Sequence, residues 1–237
     1  MSIYQHILQS VSKRKKLLAV LWDPDKVSIT DVPLLIQKTK DKVDFFFVGG
    51  STVSNGDTDN LVQKLKEFTE IPIVLFPGDY TQITSNADAL LFLSLISGEN
   101  PEYLIKQQVK SVPFLQKTSL EIIPTGYILI DGGTETSTQK VSNTTPIEST
   151  HMDLIRNTAI AGMYMGKQLI YLEAGSGATQ AVSQTIIKEV SENISIPLIV
   201  GGGIRTKKQL VEAFSAGADI VVIGTAFEEN NQLFDNF

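Results

Sequence analysis

The chain of 237 residues contains no cysteine, which excludes disulfides and thiolate metal sites. Histidine is nearly absent. His6 and His151 are isolated from one another, and each is expected to be structural rather than catalytic. Excess positive charge is also lacking: the net charge of −6 argues against a nucleic-acid footprint. The one dense basic run, Lys13–Lys16, precedes only six apolar residues, Leu17–Trp22, too few for a signal peptide. No apolar run approaches the ~18 residues of a membrane span. There is no composition break, and a hydrophobic fraction of 42% is ample for a core. The expectation is one domain over residues 1–237, cytoplasmic and soluble, with no nucleic-acid partner and no transmembrane segment.

Short apolar runs recur along the chain. They are Leu17–Trp22, Val43–Val48, Ile71–Phe76, Ala89–Leu93, Glu121–Ile123 continuing through Tyr127–Ile130, Gln168–Leu172, Ile196–Val200 and Asp219–Ile223. They do not alternate with polar residues, which marks strands buried on both faces, as in parallel sheets. Trp22 and Phe45–Phe47 are read as core. Helical patterns lie between most of the runs: Val32–Lys40, Asp59–Phe68, Glu102–Leu115, His151–Met165, Gln180–Glu192 and Lys207–Ala216. Asp31 is read as the N-cap of the first, with Pro33 in its first turn. Pro113 is expected to end or kink the third pattern, and Gly217 to cap the last. Eight strands with intervening helices predict an α/β fold, a TIM (β/α)₈ barrel. One unit is broken. Only Pro77–Asp88 separates strands three and four, so the third helix is missing or replaced by a loop. Asp131–Ser149, dense in Ser and Thr, is a long polar loop after strand five, on the catalytic face of such a barrel.

Three glycine turns end the last three strands: Tyr171-Leu172-Glu173-Ala174-Gly175-Ser176-Gly177, Gly201-Gly202-Gly203-Ile204-Arg205 and Gly224-Thr225-Ala226. Glycine turns on one face make a pocket of free backbone N–H groups, which binds phosphate with few basic side chains. In barrels, phosphate is commonly held after strands seven and eight, where Gly202, Gly203, Gly224 and Thr225 lie. Glu173 sits inside the first turn as a candidate general base.

Strand one ends Trp22-Asp23-Pro24-Asp25-Lys26, and strand two ends Val48-Gly49-Gly50-Ser51. Asp23 beside the Ser51 hydroxyl makes a sparse oxygen site for Mg²⁺, a hard cation, that substrate phosphates would complete. Asp25 is as well explained by stabilising the turn around Pro24. No strand carries a lysine placed for Schiff-base aldolase chemistry; Lys167 precedes strand six and falls at the bottom face. There is no Ser-His-Asp constellation and no aspartate-rich motif of helical prenyl synthases. Glycine turns alone also allow a sugar-phosphate isomerase, a flavin enzyme, or a non-catalytic binder of phospholipid precursors. A flavin enzyme would purify yellow, and a binder has no need of a base beside a metal site.

Together these segments resemble the geranylgeranylglyceryl phosphate synthase family of barrel prenyltransferases, in the larger of its two groups. The Tyr171–Gly177 segment is the most specific element. At Leu21 the chain departs from the bacterial short-chain relatives, which carry a lysine there. The resemblance implies a transferase of ether lipid biosynthesis, a phosphoglycerol geranylgeranyltransferase. It joins a polyprenyl diphosphate to the 3-hydroxyl of sn-glycerol 1-phosphate and releases diphosphate. It assigns sn-glycerol 1-phosphate to Tyr171, Leu172, Glu173, Ala174, Gly175, Ser176, Gly177, Gly202, Gly203, Gly224 and Thr225. Glu173 then acts as base and Tyr171 orients the hydroxyl. It assigns Mg²⁺ to Asp23 and Ser51, and implies a homo-oligomer, either dimer or hexamer. An apolar tail needs a groove, which the missing helix would open. Phe76, Tyr80, Leu95, Ile96 and Tyr127 are the expected lining.

Overall fold

A computed structural model describes residues 1–54 and 57–224. Eight parallel strands close into a barrel in sequence order: β1 (Leu17–Trp22), β2 (Phe45–Val48), β3 (Ile73–Leu75), β4 (Ala89–Leu95), β5 (Glu121–Leu129), β6 (Leu169–Glu173), β7 (Leu198–Gly201) and β8 (Ile220–Ile223). Each strand is apolar on both faces because both are covered. Leu17, Phe45, Phe47, Leu91, Leu169 and Tyr171 fill the interior. Leu18, Val20, Trp22, Phe46, Ile170 and Leu172 pack outward against the helices. This is the burial that continuous apolar runs record.

The outer helices are α2 (Val32–Thr39), α3 (Thr58–Phe68), α4 (Gln107–Leu115), α6 (Met152–Tyr164), α7 (Gln184–Ser191) and α8 (Lys207–Ala216). Two details differ from expectation. Asp31 caps nothing with its side chain, because the chain enters α2 through a 3₁₀ turn, Ile29–Asp31. Pro113 lies inside α4, which continues to Leu115. A proline there forgoes one ladder bond and sets its ring against the carbonyl four residues back, a local cost that the helix carries into its last turn. A π-helical turn, Glu102–Lys106, leads into α4. Gly217 caps α8 at φ +123°.

The third helix is absent. A 3₁₀ turn, Tyr80–Gln82, stands in its place. The sequence pattern did not reveal α1 (Ile3–Ser12). Its apolar face buries Ile7, with Ile3, Tyr4 and Val11, against the barrel interior. The Glu121 carboxylate at the start of β5 accepts from the amides of Ile3 and Tyr4, at 2.5 and 2.9 Å, a favourable place for an anion.

The polar loop after β5 is ordered rather than extended. It forms α5 (Ser137–Ser142), whose N-cap Thr136 accepts from the Gln139 amide. A bridge between Ile130 and Ile147 closes its base. α5 thereby lies across the C-terminal mouth of the barrel.

Candidate active site

The C-terminal ends of the strands surround a polar pocket of about 1030 Å³, including the part open to solvent. Its wall includes Gly175, Ser176, Gly177, Gly202, Gly203 and Gly224, so the glycine turns of β6, β7 and β8 meet as expected. Thr225 lies outside the described residues. Gly175, Gly177, Gly202 and Gly203 all have φ between +70° and +98°, where side chains are strained. A Cβ at Gly203 would stand 2.7 Å from the Gln180 backbone, whereas one at Gly177 would meet nothing within 4 Å. Gly177 therefore opens freely to the pocket. Two members of the expected set do not face it. The side chains of Leu172 and Ala174 belong to the layer between sheet and helices, because alternation along β6 turns them outward. The Ala174 amide is also spent on the sheet, donating to the Gly201 carbonyl at 3.1 Å.

Tyr171 and Glu173 share the inward face of β6. Glu173 is only 6% exposed, and its Oε1 accepts from the Gly175 amide at 2.7 Å. That amide is thus engaged with Glu173 in this structure. Burial raises the Glu173 carboxyl to a pKa of about 7, opposed by the Gly175 amide and the Tyr171 hydroxyl, both of which favour its charged form. The fully buried Tyr171 hydroxyl has no hydrogen bond of standard geometry. It is nevertheless close enough to Glu173 to stabilise the carboxylate, and burial drives its own pKa well above the usual value.

Asp23 follows β1 at the rim. Its Oδ1 accepts from the Asp25 amide at 3.0 Å, and its Oδ2 pairs with Lys26 at 3.3 Å. Asp25 accepts from the Ser54 amide at 2.8 Å, so its side chain ties the β1 loop to the β2 loop, whereas the bond across the Pro24 turn is accepted by Asp23. Ser51 reaches the same pocket. Gly50 lies so close to Asp23 that a Cβ there would stand 3.0 Å from its carboxylate. Among the described residues no cluster of three or more His, Cys, Asp or Glu could hold a metal. The donor set at Asp23 and Ser51 is all oxygen, which suits a hard cation, and too small to hold one without a phosphate ligand.

A second, mainly apolar groove of about 780 Å³, including the part open to solvent, begins beside this pocket. It runs where the third helix is missing. Phe76, Tyr80, Leu95 and Tyr127 line it, as expected. Ile96 does not. Its side chain lies instead against Gly126 and Gly162, outside the barrel. Gly50, Ser51, Phe76, Tyr127 and Thr138 wall both cavities. Phe76, Tyr127 and Tyr171 form a three-ring cluster, with Phe76 tilted against Tyr127 and Tyr171 at centroid distances of 5.9 and 5.3 Å and the two tyrosines edge-on at 5.3 Å. One aromatic partition therefore separates a polar, carboxylate-bearing pocket from an apolar groove.

The profile of the PcrB family matches residues 9–237. A geranylgeranylglyceryl phosphate synthase from Zunongwangia profunda is 53% identical over 226 residues, covering 95% of this chain and 97% of its own. The enzyme of that name from Pyrococcus furiosus is 40% identical over 218 residues, covering 91% and 86%. The chain belongs to the PcrB family. The solved (S)-3-O-geranylgeranylglyceryl phosphate synthase from Thermoplasma acidophilum, in complex with its substrate sn-glycerol-1-phosphate, superposes with a TM-score of 0.92 at 30% identity. That superposition covers 99% of this chain and 95% of the other.

Within this PcrB-family barrel, sequence reasoning missed the contribution of α5. Ser137 and Thr138 line the polar pocket, and the Thr138 hydroxyl lies 3.2 Å from that of Ser51. The only signal was the length of the polar loop, which does not say which hydroxyl faces in. Arg205, at the end of the Gly201–Arg205 turn, has a structural task that its position in sequence does not show. Its guanidinium donates to the Ala178 carbonyl at 2.7 Å and braces the loop that carries Gly175 and Gly177.

Proposed function

We propose that this chain is a prenyltransferase that joins a polyprenyl diphosphate, geranylgeranyl by the resemblance, to the 3-hydroxyl of sn-glycerol 1-phosphate. The observation that carries the reading is the shared wall of Phe76, Tyr127, Ser51 and Thr138 between the polar pocket and the apolar groove. A reaction between a phosphorylated polyol and a lipid tail needs two such cavities meeting at one point.

The glycine turns at Gly177, Gly202, Gly203 and Gly224 hold the phosphate through backbone N–H groups, with Thr225 completing the set. Ser176 lines the same pocket, and Tyr171, Glu173 and Gly175 define its inner end. The glycerol hydroxyl points at Glu173, with Tyr171 orienting it. Its oxygen forms the new C–O bond to the allylic carbon as the old C–O bond breaks. The electron pair of that bond leaves with diphosphate, and the hydroxyl proton passes to Glu173. A carboxyl with a pKa of about 7 suits this task, because about half of it is ionised at neutral pH and the ionised form is more basic than an ordinary carboxylate. The buried partition keeps water away from the allylic centre.

Asp23 and Ser51 hold Mg²⁺ in this account, and Lys26 adds a cationic neighbour. When bound, Mg²⁺ offsets the charge that builds on the departing diphosphate. No helix among the described residues is long and apolar enough to cross a membrane. A homo-oligomer, dimer or hexamer, working in the cytoplasm completes the proposal.

The test is purified protein with Mg²⁺, geranylgeranyl diphosphate and sn-glycerol 1-phosphate. The expected result is one ether product and one diphosphate per turnover. Diphosphate release without ether formation would contradict the reading.

A further inference from the structure

The missing third helix leaves a mechanical question. The loop after β2 carries Ser51 and lies against Asp23, yet no helix follows β3 to brace it. Gln82, the last residue of the Tyr80–Gln82 turn, is 2% exposed and does this work. Its Oε1 accepts from the Gly50 and Gly78 amides, each at 3.2 Å. Its Nε2 donates to the Gly50 carbonyl at 2.9 Å. One side chain therefore satisfies both backbone groups of Gly50 and staples the β2 loop to the β3 loop.

The clamp is tight on both sides. A Cβ on Gly50 would stand 3.0 Å from the Asp23 carboxylate, and one on Gly78 would stand 2.5 Å from the Ser51 carbonyl. Gly50 and Ser51 wall both cavities, whereas Gln82 lines neither. The strands below do not depend on Gln82. The Gly49 amide donates to the Trp22 carbonyl at 3.1 Å and the Phe76 amide to the Val48 carbonyl at 2.8 Å. Removing Gln82 thus frees the segment beyond the strand ends and leaves the ladder paired.

We infer that Gln82 is the positioning residue for the diphosphate end of the site: it holds Gly50-Ser51 against Asp23 so that Ser51 and Asp23 act on one diphosphate and its Mg²⁺. This rests on the proposed prenyl transfer. The glycine cradle of β6 to β8 is built without Gln82, so the effect is confined to one substrate. Buried backbone groups deprived of partners pull the segment toward other arrangements, and the position of Ser51 blurs.

The experiment compares wild type, Gln82→Leu and Gln82→Glu. Folding is checked by circular dichroism. Calorimetric titration with inorganic diphosphate in MgCl₂ reads the diphosphate end directly, and a separate titration with sn-glycerol 1-phosphate reads the cradle. Steady-state kinetics gives KM for geranylgeranyl diphosphate. Gln82→Leu loses all three bonds and is expected to weaken Mg²⁺-diphosphate binding and raise that KM by about tenfold, the part of the lost interaction felt at Ser51. Glycerol phosphate affinity is expected to stay within about twofold, as for separate sites. Gln82→Glu keeps both accepted bonds but sets a buried carboxylate oxygen against the Gly50 carbonyl in place of the 2.9 Å donated bond, so it too should weaken Mg²⁺-diphosphate binding while glycerol phosphate affinity stays within about twofold. If Gln82→Leu fails to fold, the shift in Gln82→Glu decides. A folded variant with lower thermal stability but wild-type diphosphate binding would overturn the inference, as would equal weakening of both ligands. A wild type that binds Mg²⁺-diphosphate but makes no ether would overturn the proposed transfer, and the inference with it. An active wild type with an unmoved Gln82→Leu would overturn the inference alone.

Discussion

Oε1 of Glu173 accepts a 2.7 Å hydrogen bond from the backbone N–H of Gly175, two residues further along the chain. Gly175 itself has φ +98°, a conformation that other residues resist, and it sets the course of the chain beyond this anchor. A Cβ placed at Gly201 would stand 2.8 Å from Oε2 and would also meet the Tyr171 hydroxyl, so Oε2 and that hydroxyl converge on one spot. One carboxylate oxygen is anchored, and the other is turned toward Tyr171. Such an anchor fixes the carboxylate and leaves its second oxygen for a further contact.

Activity is therefore expected to follow the ionisation of Glu173. A base works only when deprotonated, so kcat/KM should rise with pH through about 7 and level off above. In Glu173→Gln that limb should vanish, and kcat should fall by about 10²–10⁴-fold. Direct titration should find glycerol phosphate binding little changed. Lost binding with a near-normal kcat at saturation would make Glu173 a substrate ligand and not the base.

The same group makes folding stability depend on pH. Its folded pKa of about 7 lies above the ordinary 4.5, so between these values the folded state holds the proton more tightly than the unfolded state. The stabilising contribution is whole below pH 4.5 and is lost as pH rises through 7, about 3 kcal/mol at most. Urea unfolding of wild type and Glu173→Gln across this range should show wild type losing stability relative to the variant as pH rises. A constant difference would mean that the carboxyl titrates normally.

Much of this was legible in sequence because it was repeated. Every strand carried the apolar run of a doubly buried element, and β1 matched its predicted bounds, Leu17–Trp22. The glycine turns identified three loops of the mouth for the same reason. What sequence did not carry was orientation and single-residue partnership. Leu172 and Ala174 were grouped with the cradle because they share its segment, and only the alternation of β6 turns them away. Ile96 was placed in the groove by proximity to Leu95, although the strand ends there. Gln82 looked like one polar residue in a short loop, since the fact that matters, its bonds to Gly50 and Gly78, spans separate strand ends. The helix α1 escaped notice because it precedes the βα repeat and lies on the barrel interior.

Gly177 gives the cleanest probe of the phosphate cradle. Its φ is +80° and a Cβ there meets nothing within 4 Å, so Gly177→Ala adds strain of about 1–2 kcal/mol without a clash. KM for glycerol phosphate should rise while KM for the prenyl substrate stays put. Gly203→Val should act in the same direction and more strongly, since its Cβ would meet the Gln180 backbone at 2.7 Å. Unchanged glycerol phosphate affinity in both variants would count against this cradle.

Asp23→Asn should abolish most turnover and leave the fold intact, since the side chain is at the rim and its Lys26 partner is well exposed. With one carboxylate and one hydroxyl on offer, Mg²⁺ alone should bind weakly and much better with diphosphate present. Isothermal calorimetry with and without diphosphate checks this. Full activity in EDTA would contradict it.

Prenyl transfer across the wall between the two cavities should be stereospecific. Its most direct measurement is a product assay with geranylgeranyl diphosphate, Mg²⁺ and either enantiomer of glycerol phosphate. The expected result is an ether at the 3-hydroxyl of sn-glycerol 1-phosphate, equimolar diphosphate, and little or no product from the other enantiomer. No ether product, or equal use of both enantiomers, would contradict it.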